Sequence, residues 1–189
     1  MKPLYVIAAA LAATSLWVTA AESTSKLPVP WLVTGERPTS YQAGIDNVDT
    51  ISGKGAKFLR YAQGDDKSWA TLMQQFSAQR YRGQRIRFQA KVKTRDVSGW
   101  AGLWMRIDSK AAYSTAFYNS QDKPIKGTTD WQTRSVVLDV PADATVISFG
   151  VINGGAGEVW IDALAFDTVG EDVPVDAMGR NPLQDAPSL

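Results

Sequence analysis

The chain has 189 residues, of which 44% are hydrophobic and 21% charged, the mix of one soluble globular domain. Its 20 basic and 19 acidic side chains leave a net charge of +1, so no global field draws it to nucleic acid or to an anionic membrane. Cysteine and histidine are both absent, which excludes disulfides, thiol nucleophiles, Cys/His zinc sites and imidazole-dependent triads, and leaves only oxygen-ligated metals, calcium first among them.

The first residues, "MKPLYVIAAALAATSLWVTAAES", place Lys2 before an apolar run from Leu4 to Val18 that ends in the small residues Ala20 and Ala21. That is the layout of a secretory signal peptide, residues 1–21, cleaved after Ala20 or Ala21. The run is shorter than the roughly 20 residues of a membrane span, and no cysteine follows it to carry a lipid anchor. An uncleaved N-terminal anchor is the alternative. No second apolar run approaches membrane length, so an exported protein, periplasmic or extracellular, without a membrane span after cleavage is expected.

Residues 22–30, "ESTSKLPVP", form a polar, proline-containing lead-in. From Trp31 to Val169 the pattern is of β type. Strands are expected over 55–63, 70–78, 85–93, 102–108, 113–119, 133–140, 145–153 and 158–169. The clearest is "RIRFQAKVK", with Ile86, Phe88, Ala90 and Val92 on one face and Arg85, Arg87, Gln89, Lys91 and Lys93 on the other. In "GLWMRID", Leu103, Met105 and Ile107 face a core while Trp104, Arg106 and Asp108 share the polar face. Turn signals separate the strands at Gly64-Asp65-Asp66, Arg82-Gly83, Ser98-Gly99, Lys126-Gly127, Pro141-Ala142-Asp143 and Gly154-Gly155. "GVINGGAGEVW" lacks the Gly-Lys-Ser/Thr ending of a phosphate loop and reads as a glycine-rich hairpin. Half-polar strands at near-regular spacing, with no helix between them, predict an all-β fold, an antiparallel β-sandwich over 31–169. The tail 170–189, rich in proline and acids, reads as a flexible end.

"YRGQRIRFQAKVKT", "AGLWMRID", "KPIKGTTDWQTRSVVLDVPADA" and "ISFGVINGGAGEVWIDALAF" resemble a family of small bacterial proteins that often carry the label of AraC-type transcriptional regulators. The layout is also similar to galactose-binding-like jelly rolls, which include many carbohydrate-binding modules. The resemblance implies a jelly roll, a buried Trp131, and a carbohydrate ligand. Where the family pattern has "DNM", this chain has Tyr118, Asn119 and Ser120. A DNA-reading helix-turn-helix needs two amphipathic helices and a basic recognition face, and neither is present in the pattern, so a DNA-binding regulator is not expected.

If the jelly roll sets these strands in one sheet, Trp104 is a stacking platform for a sugar ring, with Arg106, Arg87, Gln89, Lys91 and Trp160 as further ligand contacts. The alternative is an inert solvated face with Trp104 covered by a loop. Trp100, after Gly99, is a second candidate platform, while Trp31 and Trp69 read as packing residues. Asp108, Asp130, Asp139, Glu158 and Asp162 are the carboxylates available to a glycosidase, which needs two across a cleft. Tyr113, Tyr118, Arg87 and Lys91 are the set for lyase chemistry. Glu36, Asp46, Asp49 and Asp162 are oxygen donors for a structural calcium, and no other cofactor is expected. The leading expectation is an exported, non-catalytic carbohydrate-binding domain. A polysaccharide-active lyase or hydrolase and an envelope protein-interaction domain are the alternatives.

Overall fold

The structure, a computed structural model, describes residues 24–110 and 112–178. The expected leader lies outside them. Among the described residues there are ten strands and two 3-10 turns, Pro38–Ser40 and Ala78–Tyr81, and no helix is long and apolar enough to cross a membrane. The strands are β1 (Thr24–Ser25), β2 (Leu32–Gly35), β3 (Tyr41–Asp46), β4 (Ala56–Tyr61), β5 (Trp69–Ser77), β6 (Arg85–Ser109), β7 (Ala116–Tyr118), β8 (Ile125–Asp139), β9 (Ala144–Gly154) and β10 (Glu158–Val169).

All strand pairings are antiparallel, and the hydrogen-bonded network folds back on itself through β6, which runs for 25 residues. Its first half pairs with β10 and β8, in a sheet that continues through β4, β3 and β1. Its second half pairs with β9 and β7, in a sheet that continues through β5 and β2. The expected strands 85–93 and 102–108 are therefore one strand that changes sheet, and Ser98-Gly99 is a corner within it instead of a turn.

The corner is visible in the burial pattern. Ile86, Phe88, Ala90, Val92 and Thr94 point inward, then Val97, Ala101, Leu103, Met105 and Ile107. The parity flips because an extra residue is inserted around Asp96, whose φ is +53°. Such a bulge bends a strand and raises its twist, which lets it feed a second sheet. β10 carries a second bulge between Asp162 and Ala165, with Ala163 at φ +48°.

The inward faces meet in one core. Phe88, Phe149 and Phe166 lie 4.8–5.0 Å apart by ring centroid, joining β6, β9 and β10 across the sandwich. Leu103, Met105 and Ile107 are fully buried there, as their alternation predicts. Complete burial of such side chains stabilises a fold by about 1.5–3 kcal/mol each.

The segment 155–157 joins strands of opposite sheets, so it is a crossover and not a hairpin. Gly155 and Gly157, at φ +85° and +97°, pass over the β6 corner so closely that a Cβ on Gly157 would stand 2.5 Å from the Asp96 carbonyl. Along the free edge of β8, residues 170–178 of the expected tail are held in place. The Asp176 N–H donates to the Val137 carbonyl, its carboxylate accepts the Val137 N–H (both 2.9 Å), and Met178 packs on the core.

Candidate functional site

Because β6 changes sheet, the sequence-predicted ligand residues lie on two outer faces that point away from each other. Arg87, Gln89, Lys91 and Trp160 are on the outer face of the β10–β6–β8 sheet, whereas Trp104 and Arg106 are on that of the β5–β9–β6 sheet. They do not line one groove.

On the first face, most of these groups are occupied by neighbours. Lys91 donates to the Thr133 hydroxyl (2.8 Å) and Arg87 meets Asp167 at 3.5 Å. Trp160, only 4% exposed, donates to Asp46 (3.1 Å) and lies beneath Lys93 and Arg95, 5.6 and 5.2 Å from its ring. Trp131 is half-buried on this outer face and donates to Asp49 (3.0 Å), so it does not enter the main core as the resemblance implies. Lys93 also pairs with Asp49, and Arg95 and Arg60 converge on Glu158 at 2.6 and 3.9 Å. A groove of about 480 Å³ runs above these residues. Burial pushes the Glu158 carboxyl up, against the pull of Arg60 and Arg95.

Asp162 closes this face as an anchor. Its two oxygens accept from the Thr50 and Ser52 hydroxyls and from the N–H groups of Ile51, Ser52 and Ala163, at 2.6–2.9 Å. Burial opposes its charge, but the donors from Ser52, Thr50 and Ala163 prevail and bring its pKa down to about 2. Burial likewise opposes the charge of Asp49, and the bonds from Lys93 and Trp131 hold its carboxyl below the usual range. Glu36, Asp46, Asp49 and Asp162 are not gathered into a metal-binding cluster, and no group of three or more candidate ligands occurs among the described residues. Asp108 lies on the opposite outer face from Asp162, gripped in a fork by Arg106 at 3.0–3.3 Å. Tyr118 is buried with its hydroxyl on Asp122 (2.7 Å), and Tyr113 stacks on Arg106 at 4.0 Å, both apart from Arg87 and Lys91. Neither the carboxylate pair Asp108/Asp162 nor the lyase set is assembled.

The second face has different contours. Across β5, β9 and β6 its outward residues stand in rows: Trp69–Gly154–Trp100, then Thr71–Ile152–Gly102, then Met73–Gly150–Trp104. The outward positions of the central strand β9 alternate glycine with larger residues. Trp104 is only 5% exposed: its indole reaches from β6 past β9 to donate to Thr71 Oγ1 on β5 at 2.5 Å, and it packs in a cluster with Met73 and Ile152. Trp104 is therefore covered, though by the strand residues Thr71, Met73 and Ile152 and not by the loop of the alternative reading.

Trp100 is half-buried and lies flat on the sheet. Its indole nitrogen is 3.5 Å from where a Cβ of Gly154 would stand, and its far edge is 3.4 Å from that of Gly102. Trp69, 42% exposed, flanks Gly154 on the other side, so it is not the packing residue that the sequence suggests. Between and around the indoles opens a cleft of about 660 Å³. Phe117, 38% exposed, and Ile152 add apolar surface, while Asp66, Lys67, Asn119 and Gln121 add polar groups.

The walls are held by their own bonds. The turn 65–68 is closed by Asp65, which accepts from the Lys67 N–H and the Ser68 hydroxyl (2.9 and 2.7 Å). The Tyr41 hydroxyl sits between the carbonyls of Ser68 and Gly155 (2.9 and 2.8 Å). Across the cleft, Asn119 accepts the Gln121 N–H (3.1 Å) and Ser120 donates to the Leu103 carbonyl (2.7 Å). A shaped, mostly apolar recess with a few fixed polar groups is the usual form of a small-ligand site. The signal for it in the sequence was Gly154 on the outward face of a strand, where a glycine marks close approach of something else, here the Trp100 indole.

The fold is the jelly-roll β-sandwich of carbohydrate-binding modules. A xylan-binding domain of family 22 aligns over 77% of this chain and 92% of its own, at 12% identity and a TM-score of 0.54. The enzymatically active domain of tailspike protein 4 of bacteriophage CBA120 aligns over 74% of this chain and 19% of its own, at 13% identity and a TM-score of 0.56. No family model matches the sequence.

In sequence, the chain is 43% identical over 145 residues to an uncharacterized HTH-type transcriptional regulator, YbfP, of Bacillus subtilis (strain 168), covering 76% of this chain. The match spans about half, 49%, of that relative. Residues 24–110 and 112–178 hold most of those 145 positions and contain no α-helix, so the likeness rests mainly on the sandwich.

Proposed function

We propose that the chain is an exported, non-catalytic carbohydrate-binding domain whose site is the Trp69–Trp100 cleft. The observation that carries this reading is the row Trp69–Gly154–Trp100, two accessible indoles flanking a glycine, with Asn119, Gln121, Asp66 and Lys67 around them. Sugar rings present apolar CH faces that stack on indoles and hydroxyls that need fixed donors and acceptors, and the cleft offers both. Among its lining residues Asp66 is the sole carboxylate, which favours binding over two-carboxylate hydrolysis. The solved modules of the same fold include xylan-binding domains, in keeping with a polysaccharide ligand. The leader layout of residues 1–21 supports export.

The test is a glycan array followed by calorimetry with the mature chain and with Trp100→Ala. Loss of a central indole contact costs about 2 kcal/mol or more, so affinity should fall at least tenfold in a variant that circular dichroism shows still folded. A folded protein that binds no glycan refutes the reading. Release of reducing ends or unsaturated sugars from the same panel would instead establish an enzyme.

A further inference from the structure

The same cleft also constrains which part of a glycan it can take. Moving inward from the Trp69–Gly154–Trp100 row, the trough ends two rows on. There the Trp104 indole reaches from β6 past β9 to Thr71 on β5, and with Met73 and Ile152 it makes a buried apolar bar three strands wide. At the β6 side, residues 119–121 form a wall over Gly102. A Cβ on Gly102 would stand 2.9 Å from Ser120, and the Ser120–Leu103 bond pins that wall down. At the β5 side stands Trp69, whose ring edge leans over the end of β2 at Gly35. The recess is thus bounded by the bar, by residues 119–121, by Trp69 and by the 65–68 turn, and it opens outward.

We propose, resting on the carbohydrate reading above, that this cleft receives the end of a glycan chain or a short free oligosaccharide, and excludes the interior of a long polymer. A polymer interior must enter and leave, and the Trp104 bar, the Ser120 wall and Trp69 leave no second exit along the sheet. The volume of about 660 Å³ lies within the roughly 300–1,000 Å³ of sites that engulf a small ligand, room for about two or three pyranose rings. Lys67 and Asp66 line it with opposite charges, so no net charge selects an anionic or a cationic sugar, and neutral units are the probes. Trp104 then acts as a specificity-determining residue that touches the ligand little, by ending the trough.

The experiment uses the mature chain with neutral xylo- and cello-oligosaccharides from the monosaccharide to the hexasaccharide, together with whichever glycan the array returns. Calorimetry is run on each, and on the polymer before and after partial hydrolysis. The expected result is an affinity that levels off at about two or three units, and polymer binding capacity that rises with the number of chain ends. A cyclic glucan, which has no ends, should not bind. Affinity that keeps rising to the hexasaccharide, or capacity that follows polymer mass instead of chain ends, overturns end recognition while leaving carbohydrate binding intact. Binding of none of the probes overturns both. Trp104→Ala should shift the plateau to longer oligomers if it folds. Should it not fold, the plateau, the hydrolysis series and the cyclic glucan decide the matter with the native chain alone.

Discussion

Asp162 offers a direct test of how the outer face of the first sheet is held. The side chain is 2% exposed and accepts five hydrogen bonds, four of them from residues 50–52. Its pKa falls from 3.8 to about 2 on folding. At about 1.36 kcal/mol per unit, that difference is worth about 2 kcal/mol of stability near neutral pH. Because the folded pKa is the lower one, the contribution is fully present above the unfolded value and is lost as pH falls through the folded value. About half of it remains near pH 3, and little is left near pH 2.

Asp162→Asn removes the charge and turns an amide NH2 toward buried N–H donors, each of which costs about 1–3 kcal/mol when unpaired. The variant should therefore be at least about 2 kcal/mol less stable near neutral pH. With a urea slope of about 2 kcal/mol/M, the unfolding midpoint should move by about 1 M or more. Tryptophan fluorescence during urea unfolding reports the midpoint. The gap between native and variant chains should shrink by about 2 kcal/mol between pH 7 and pH 2. A gap that is absent at pH 7, or equally large at both ends, refutes the account of Asp162 as an ionised anchor.

Gly157→Ala should cost several kcal/mol, about 3 or more, since its φ is +97° and the new Cβ would meet the Asp96 carbonyl at 2.5 Å; thermal unfolding reads this. Asp176→Ala should cost about 1–2 kcal/mol through the lost bond to the Val137 N–H, and should speed limited proteolysis within 170–178 while the remainder resists. Combined replacement of Arg87, Gln89 and Lys91 by alanine should leave glycan affinity within twofold, because these residues are on the outer face opposite the cleft; a loss of tenfold would move the site there. Millimolar calcium should leave the melting temperature unchanged, since the oxygens of Asp162 already accept from N–H and O–H groups that a cation would have to displace.

Much of this architecture was legible in residue order. Alternation with a period of two identified eight strand segments and assigned Ile86, Phe88, Val92, Leu103, Met105 and Ile107 to the core, all of them fully buried. It worked because burial on one face of a strand is a local property, decided by pleat and polarity alone. The lack of histidine and cysteine limited the chemistry in the same direct way. The short β1 and β2 escaped notice, because two and four residues carry too little alternation to stand out, and β3 did because Gly44 interrupts the polar face of "YQAGID".

The site depended on longer-range facts. Trp104 looked exposed because its neighbours in sequence, Arg106 and Asp108, are polar. It is covered because Thr71, Met73 and Ile152, brought beside it by β5 and β9, bond and pack against its indole. Trp69 looked like a packing residue and is accessible because Gly154 faces it across the ladder. Alternation tells in from out, but it cannot tell which sheet a strand half joins. That choice was made by the bulge at Asp96, which sends Arg87 and Trp104 of one continuous strand to opposite faces of the sandwich. Residue order by itself determined which side chains are inside; the hydrogen-bonded partners of β6, distant in the chain, decided which of the outer ones share a cleft.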